Sequence, residues 1–409
     1  MRLLGPDHHG KSKQRGAALM IMVALLVVGF AALLVGALSL PALNSARQEK
    51  TAAALAEAKN ALIGKSITYD DYPGSLPCPD TDNDGVSDAG GASDCPNYIG
   101  RLPWKTLGLP DLQDAAGERL WYTLSSNFRR YDSVRPLNSN TKGTLLVYGA
   151  DNVQLTQANY SAVAVIFAPG SAISAQARNT VAERNAVANY LDEVVFPGPI
   201  TRNNAAAGGP FVAGAKSATF NDQLVFITAK ELMPLVERRV AGIVKEALTS
   251  YYANSSGTPS DRYYPWTDNL PEGGTFDYDA NDGQTRGWLP YHSSDAGSLE
   301  WYASGSPPQW FFDNQWYTLI YYSIAPKYTR DHFPLNTLTV DSTTGVRALF
   351  FMPGTYDGTR ASTDPIPLTQ FLEDGENNDN GNDSYVRPTS TDRDRDRLYW
   401  LSSSSIWNQ

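Results

Sequence analysis

The chain has 409 residues, with 33 Lys and Arg against 43 Asp and Glu, so its formal net charge is −10. Beyond the first 16 residues no stretch interleaves basic and aromatic side chains, which excludes a nucleic-acid groove, and we expect no nucleic-acid partner. The length predicts two or three folded units, and the 22 Tyr and 9 Trp indicate a β-rich body and exclude a disordered or coiled-coil chain.

The N-terminus combines a basic leader with an apolar run. Residues 1–16 carry four basic side chains and one acid, and residues 17–40 contain no charge. As a helix this run rises about 36 Å at about 1.5 Å per residue, enough to cross a hydrocarbon core of about 30 Å. The sequence therefore predicts a single transmembrane helix with the basic leader on the cytoplasmic side.

Three interpretations of this segment compete. It is too long for an ordinary secretory signal cut after Ser39, whereas a plain signal anchor fits. The junction KQRGAAL, residues 13–19, resembles the prepilin peptidase site of type IV pilins and type II secretion pseudopilins. That resemblance implies cleavage between Gly16 and Ala17. It also implies an inner-membrane anchor, a body in the periplasm or outside the cell in a filament, and other pilins or pseudopilins as partners.

The helical pattern continues beyond the apolar run, since residues 45–65 are rich in Ala with an apolar stripe. A continuous helix entering the head is what the family resemblance implies. The chain departs from the family at the fifth mature position, where Ile21 replaces the usual Glu that neutralises a neighbour's terminal ammonium. This departure favours a minor subunit at a filament tip, or no filament at all.

A set of short motifs occurs twice in the same order, which predicts an internal duplication. The predicted second copy begins with an amphipathic helix near residues 229–253. The paired motifs are YP (72–73 and 264–265), GRLPW (100–104) with GWLPY (287–291), LWYTL (120–124) with QWYTL (315–319), IFAPG (166–170) with FFMPG (350–354), NYLD (189–192) with QFLE (370–373), and DQLVFIT (222–228) with DRLYWLS (396–402).

The acidic loop CPDTDNDGVSD, residues 78–88, is the sharpest chemical motif. Counted from Asp80 as position 1, carboxylates stand at positions 1, 3, 5 and 9 and Gly stands at position 6. This pattern is typical of a Ca²⁺ loop, because alternate side chains converge on one ion and Gly permits the turn. The predicted ligands are Asp80, Asp82, Asp84 and Asp88. Position 12 is Gly91 instead of Glu, so another ligand must come from Asp94, a carbonyl or water. The alternative is a solvated acidic turn.

Cys78 and Cys95 bracket this loop and are the only cysteines. If the body is exported, a disulfide is expected, and closing so short a loop would stabilise the fold by about 3 kcal/mol. A zinc site would need two further soft ligands. In the second copy Asp277, Asp279 and Asp282 are either a second, weaker metal site or a remnant. The acidic run 373–383 indicates a mobile loop.

Catalytic motifs are lacking: only His292 and His332 lie outside the leader, and no nucleophile elbow or phosphate loop is present. We therefore expect no enzymatic activity. Apolar side chains in the insertions of the second copy predict a partner-binding surface, namely Trp301, Trp310, Phe311 and Phe312.

The predicted fold class is α+β: a long N-terminal transmembrane helix followed by two tandem pilin-like modules, each a helix packed on an antiparallel sheet. The predicted segments are a leader (1–16), the transmembrane and N-terminal pilin helix (17–66), a first head with the Ca²⁺ loop and disulfide (67–228) and a duplicated second head (229–409). The predicted function is a structural minor pilin or pseudopilin. The alternatives are an adhesin that binds a surface or glycan through the second module, and a periplasmic hydrolase.

Overall fold

A computed structural model gives the structure of the chain. It describes residues 15–88, 94–129, 136–157, 160–173, 176–268, 283–290, 307–333, 336–355, 368–370, 372, 377, 382–388 and 396–409. Of residues 15–19 and 31–41 it describes the backbone only.

Four α-helices occur in the described residues: α1 (Arg15–Thr68), α2 (Val181–Asn185), α3 (Ala229–Asn254) and α4 (Gln309–Asp313). None of them, over those residues, has an apolar stretch long enough to span a bilayer. This finding overturns the predicted transmembrane helix and the predicted single-pass inner-membrane location.

Sixteen strands are formed by the described residues: β1 (Ile99–Arg101), β2 (Trp121–Leu124), β3 (Val147–Gly149), β4 (Ala162–Ala168), β5 (Glu193–Phe196), β6 (Ile200–Asn203), β7 (Phe211–Ala213), β8 (Gln223–Thr228), β9 (Arg286–Trp288), β10 (Tyr321–Ile324), β11 (Leu338–Val340), β12 (Thr343–Val346), β13 (Ala348–Met352), β14 (Ser384–Tyr385), β15 (Arg397–Leu401) and β16 (Trp407–Asn408). Apolar β-branched and aromatic runs form the central strands, as expected for strands buried on both faces.

The two largest sheets share one topology. The first has the order β1-β2-β4-β8, and the second has β9-β10-β13-β15 with β16 added at its edge. Every neighbouring pair in both sheets is antiparallel. A long helix precedes each sheet in the chain, α1 for the first and α3 for the second.

Equivalent backbone hydrogen bonds align the two halves. The amide of Asp80 donates to the carbonyl of Arg101 in β1 at 2.9 Å, and the amide of Asp268 donates to the carbonyl of Trp288 in β9 at 3.0 Å. Asp268 is thus the structural counterpart of Asp80. The residues predicted to hold a second metal, Asp277, Asp279 and Asp282, lie outside the described residues.

The chain divides into two compact units, Met1–Ala53 and Ala54–Gln409, and both large sheets belong to the second unit. One core cluster in that unit contains side chains of α1, α3 and both sheets, including Leu62, Val240, Tyr122 and Phe350. Two further clusters cover the opposite faces of the sheets. Each large sheet is therefore covered on both faces.

A buried carboxylate also joins the two halves. Glu237 in α3 lies fully inside the protein, where its Oε2 accepts a hydrogen bond at 2.5 Å from Nη1 of Arg397 in β15. Its Oε1 accepts a hydrogen bond from Ser139 in the first half. A buried charge requires such partners.

The predicted α+β class is wrong, and the two helix-and-sheet halves share one core in a single unit instead of forming tandem modules. The described chain is a mixed α/β structure with five sheets. One of them, β3-β7, is a parallel pair, and the three-stranded sheet β12-β11-β14 contains the parallel pair β11-β14 beside an antiparallel one. Along the chain, the strands of the small sheets come between strands of the large sheet of the same half. They are needed because a sheet with two apolar faces must be covered on both.

The predicted correspondence of LWYTL (120–124) with QWYTL (315–319) is wrong. WYTL forms strand β2 at Trp121–Leu124, whereas WYTL at Trp316–Leu319 forms a 3₁₀ turn and the equivalent strand begins at Tyr321. The cause is local: Gln315 adopts φ 55° after α4 ends, and its carbonyl accepts a hydrogen bond at 2.9 Å from Oγ1 of Thr318.

Candidate metal centre

The acidic loop begins where the chain pairs with strand β1. Asp80 and Arg101 exchange both backbone hydrogen bonds, at 2.9 and 2.7 Å. This pairing fixes the first residue of the loop to the edge of the first sheet. Asp80 is buried, with 1% of its surface exposed.

Both oxygens of the Asp80 carboxylate organise the following turn. Oδ1 accepts from the amide of Asn83 at 2.6 Å, and Oδ2 accepts from the amide of Gly85 at 2.7 Å. Asn83 and Gly85 adopt φ of 70° and 87°. These left-handed conformations favour Asn and Gly, so the sequence DNDG suits the turn.

Gly85 also meets a steric requirement. A Cβ at this position would lie 2.6 Å from the indole of Trp104. The carbonyl of Gly85 accepts a hydrogen bond from the amide of Lys105 at 2.8 Å. The turn therefore packs directly against the segment that follows β1.

Three of the four predicted ligands converge. One carboxylate oxygen from each of Asp80, Asp82 and Asp88 lies within 4.8 Å of the others. Asp84 is not in this group: its Oδ1 accepts from the amide of Val86 at 2.6 Å. The prediction that Asp84 is a ligand stays untested, and the geometry favours the other three carboxylates.

Thr81, which the sequence did not single out, positions the third carboxylate. Its amide donates to Oδ2 of Asp88 at 2.6 Å, and its hydroxyl donates to the same oxygen. These hydrogen bonds close the loop between Thr81 and Asp88. Thr at an intervening position carries no recognisable sequence signal for this role.

Burial and the neighbouring carboxylates together raise the pKa of Asp80. Burial is the main cause that raises the pKa of Asp80, and the charges of Asp84 and Asp82 raise it further, while the amides of Gly85 and Asn83 lower it. Mutual repulsion of carboxylates is relieved by a bound cation. The donor set consists of oxygens only, which fits a hard cation such as Ca²⁺.

Basic residues fix the outer side of the loop without entering the carboxylate group. Nη1 of Arg119 donates to the carbonyl and side-chain oxygens of Asn83 at 2.9 and 2.8 Å. The same guanidinium pairs with Asp111 at 2.8 Å. Lys105 Nζ donates to the carbonyl of Asp84. Pairing of Arg119 with Asp111 limits its competition with a cation.

Cys78 and Cys95 form a disulfide, with Cα atoms 5.4 Å apart. Both are buried in the core cluster that contains α1 and α3. Asp94, named as a source of a further ligand, instead accepts hydrogen bonds from the amide of Cys95 at 3.0 Å and from the hydroxyl of Tyr98. The disulfide therefore anchors both ends of the acidic excursion in the core.

The predicted partner-binding side chains occupy a different environment. Trp310, Phe311 and Phe312 are buried in the main core cluster, so the expectation that they form an exposed contact surface is wrong. An aromatic run is expected to pack inside unless something exposes it. Trp301 lies outside the described residues.

No protein-family model, curated protein or solved structure matches the chain.

Proposed function

We propose that the chain is a structural subunit of a filament of the type IV pilin or type II secretion pseudopilin class. In this proposal helix α1 packs among the helices of other subunits, and the acidic loop binds Ca²⁺ and stabilises the globular unit. The resemblance of the junction around Gly16 and Ala17 to a prepilin peptidase site supports this proposal.

The observation that carries the proposal is the surface of α1. Its large apolar side chains between residues 20 and 30 are all exposed, by 53–74%. They are Met20, Ile21, Met22, Val23, Leu25, Leu26, Val27, Val28 and Phe30. Successive residues point about 100° apart around a helix, so these side chains occupy every side of it. An apolar surface on all sides requires neighbours on all sides.

The energetics favour assembly over exposure in water. Full burial of one large apolar side chain (Val, Leu, Ile, Phe or Met) contributes about 1.5–3 kcal/mol. Nine such side chains on one short segment therefore supply a large driving force for association. Ile21 adds to it, because it places no charge inside a bundle where a lone charge would be costly.

The metal part of the proposal assigns Asp80, Asp82 and Asp88 as ligands. A bound cation would neutralise their repulsion and favour the turn that the amides of Asn83 and Gly85 already support. It would act structurally and not in a reaction. The loop is joined to β1 by backbone hydrogen bonds and to the core by the disulfide. A cation that stabilises the loop would therefore also stabilise the edge of the first sheet.

Proteolytic maturation tests the assignment to this class. The full chain is expressed with and without a prepilin peptidase, and its N-terminus is determined by intact-mass analysis. The expected mature chain begins at Ala17 only when the peptidase is present. Gly16→Val, which changes the residue before the cut, should leave the leader attached. An intact leader in the presence of an active peptidase would overturn the assignment.

A further inference from the structure

A cleft is lined by residues of the second half of the chain. It has a volume of about 320 Å³. It is lined by Tyr252 near the end of α3, by the segment after α3 and by the segment after β10. The residues of these two segments are Ser260, Asp261, Arg262, Lys327, Tyr328, His332 and Phe333. This size is at the lower end of the range of small-molecule sites, about 300–1,000 Å³.

A backbone hydrogen bond, a ring stack and a histidine contact hold the walls of the cleft. The amide of Tyr264 donates to the carbonyl of Tyr328 at 2.9 Å, which joins the two segments. The ring of Tyr252 stacks on Tyr264 with centroids 4.6 Å apart. Nδ1 of His332 lies 3.3 Å from the carbonyl of Lys327. The cleft is therefore preformed.

Two cations in the cleft have no acidic partner among the described residues. The side chain of Arg262 makes no hydrogen bond or ion pair with another described residue, and its Nε is buried without an acceptor. Lys327 is exposed, and its described contact is with the ring of Tyr328, whose centroid lies 5.9 Å from Nζ. By contrast, Arg119, Arg286 and Arg397 each pair with a carboxylate. In a chain of net charge −10, two cations in one cleft without an ion pair to a described residue are unexpected.

The equivalent place in the first half is filled. Leu76 donates its amide to the carbonyl of Phe128 at 2.8 Å, so Leu76 corresponds to Tyr264. Counting back two residues, Gly74 corresponds to Arg262. A Cβ at Gly74 would lie 2.3 Å from Cδ2 of Leu137, so the space there is occupied. Among the described residues, Leu137 therefore fills in the first half the space that corresponds to Arg262 in the second, although the topology of the two large sheets is shared.

The lining chemistry indicates the ligand. Arg262 and Lys327 carry two positive charges and Asp261 carries one negative charge, so these three side chains together have a net charge of +1, which suits a monoanion. Phe333, which is 48% exposed, offers an aromatic surface beside the cations. Asp261 and Ser260 can hydrogen-bond to hydroxyl groups. We propose that this cleft binds a uronic-acid unit of an acidic polysaccharide, with its carboxylate held by Arg262 and Lys327.

This binding site is independent of the filament role and of the calcium loop. The test is isothermal titration calorimetry of the full chain with trigalacturonate and, as the neutral probe, maltotriose. Lys327→Ala and Arg262→Gln should each weaken trigalacturonate binding by about tenfold or more, because each removes a charge-assisted contact. Phe333→Ala should weaken it several-fold.

Arg330→Ala is the matched control, since it removes an exposed cation close to Lys327 in the chain that does not line the cleft. Its affinity should stay within about twofold of wild type. Lys327 and Phe333 are exposed, so their variants are expected to fold, and circular dichroism checks this. Equal affinity for maltotriose, absence of trigalacturonate binding by the folded wild type, or unchanged affinity in Lys327→Ala would each overturn the proposal.

Discussion

Tyr122 and Tyr322 make the same hydrogen bond in the two halves of the chain. The hydroxyl of Tyr122 donates to the carbonyl of Pro77 at 3.2 Å, and that of Tyr322 donates to the carbonyl of Pro265 at 3.3 Å. Burial raises the pKa of both hydroxyls well above the ordinary value. The two tyrosines thus tie equivalent strands to equivalent segments that lead into β1 and β9.

We expect Tyr122→Phe and Tyr322→Phe to lower the free energy of unfolding by similar amounts, about 1–2 kcal/mol each, because each leaves a buried carbonyl with one partner fewer. Urea unfolding measures the effect. Tyr69→Phe is the control, since the hydroxyl of Tyr69 bonds no described residue, and it should be near neutral. A large loss in one half with none in the other would contradict the equivalence.

The turn at Gly85 should tolerate no side chain. Gly85→Ala combines a φ of 87° with a Cβ 2.6 Å from Trp104, whereas Gly108→Ala has a φ of 68° and open space. Gly108→Ala should therefore cost about 1 kcal/mol from backbone strain alone. Gly85→Ala should cost about 1–3 kcal/mol more, as measured by thermal and urea unfolding. Equal costs would show that the packing against Trp104 is unimportant.

The calcium loop offers two carboxylates of equal charge and similar exposure for comparison. Asp82→Asn removes a member of the converging group, and Asp84→Asn removes a carboxylate outside it. We expect Asp82→Asn to weaken Ca²⁺ binding by about tenfold or more, and Asp84→Asn by about threefold or less. Isothermal titration calorimetry measures both. Equal losses would support the four-ligand loop predicted from the sequence instead.

The buried pair of Asp192 and Asp222 predicts a pH dependence. Burial, followed by the charge of Asp192, raises the pKa of Asp222 well above its ordinary value, and burial also raises that of Asp192. A raised folded-state pKa gives stability that is fully present below the unfolded pKa and is lost as pH rises through the folded pKa. Asp222→Asn removes this loss, so it should be more stable than wild type at pH 8 and lose that advantage toward pH 4.

Asp341→Asn is the control of opposite sign. Hydrogen bonds from Arg387, the backbone one first, lower the pKa of Asp341. The stability that this carboxylate gives is present above the unfolded pKa and lost as pH falls. Thermal unfolding between pH 4 and 8 should therefore show Asp341→Asn weakest, relative to wild type, at the upper end. If Asp222→Asn follows the same trend as Asp341→Asn, the assigned direction of the Asp222 shift is incorrect.

Local signals in the sequence found much of what the structure contains. The pairing of Cys78 with Cys95 is present, the second long helix is Ala229–Asn254, and Asp80, Asp82 and Asp88 converge. Each of these follows from spacing within a short segment. Neighbouring carboxylates, close cysteines and a helical stripe need no information about distant residues.

What depended on distant contacts was not predictable in the same way. The parallel pair of β3 and β7 joins residues about sixty positions apart in the chain. The burial of Trp310 and Phe312 depends on a core shared by both halves. The cations of the cleft, Arg262 and Lys327, come from two segments that only folding brings together. Such juxtapositions leave no pattern in residue spacing.

Assembly through helix α1 is the central claim, and cysteine cross-linking tests it most directly. Cys78 and Cys95 are paired, so a single introduced cysteine is the one free thiol. Leu26→Cys in the helix and Val181→Cys in α2 replace apolar residues of matched exposure, 68% and 67%. After mild oxidation of the full chain, Leu26→Cys is expected to form disulfide-linked species and Val181→Cys to stay monomeric. Equal cross-linking of the two variants, or none with Leu26→Cys, would contradict assembly through this helix.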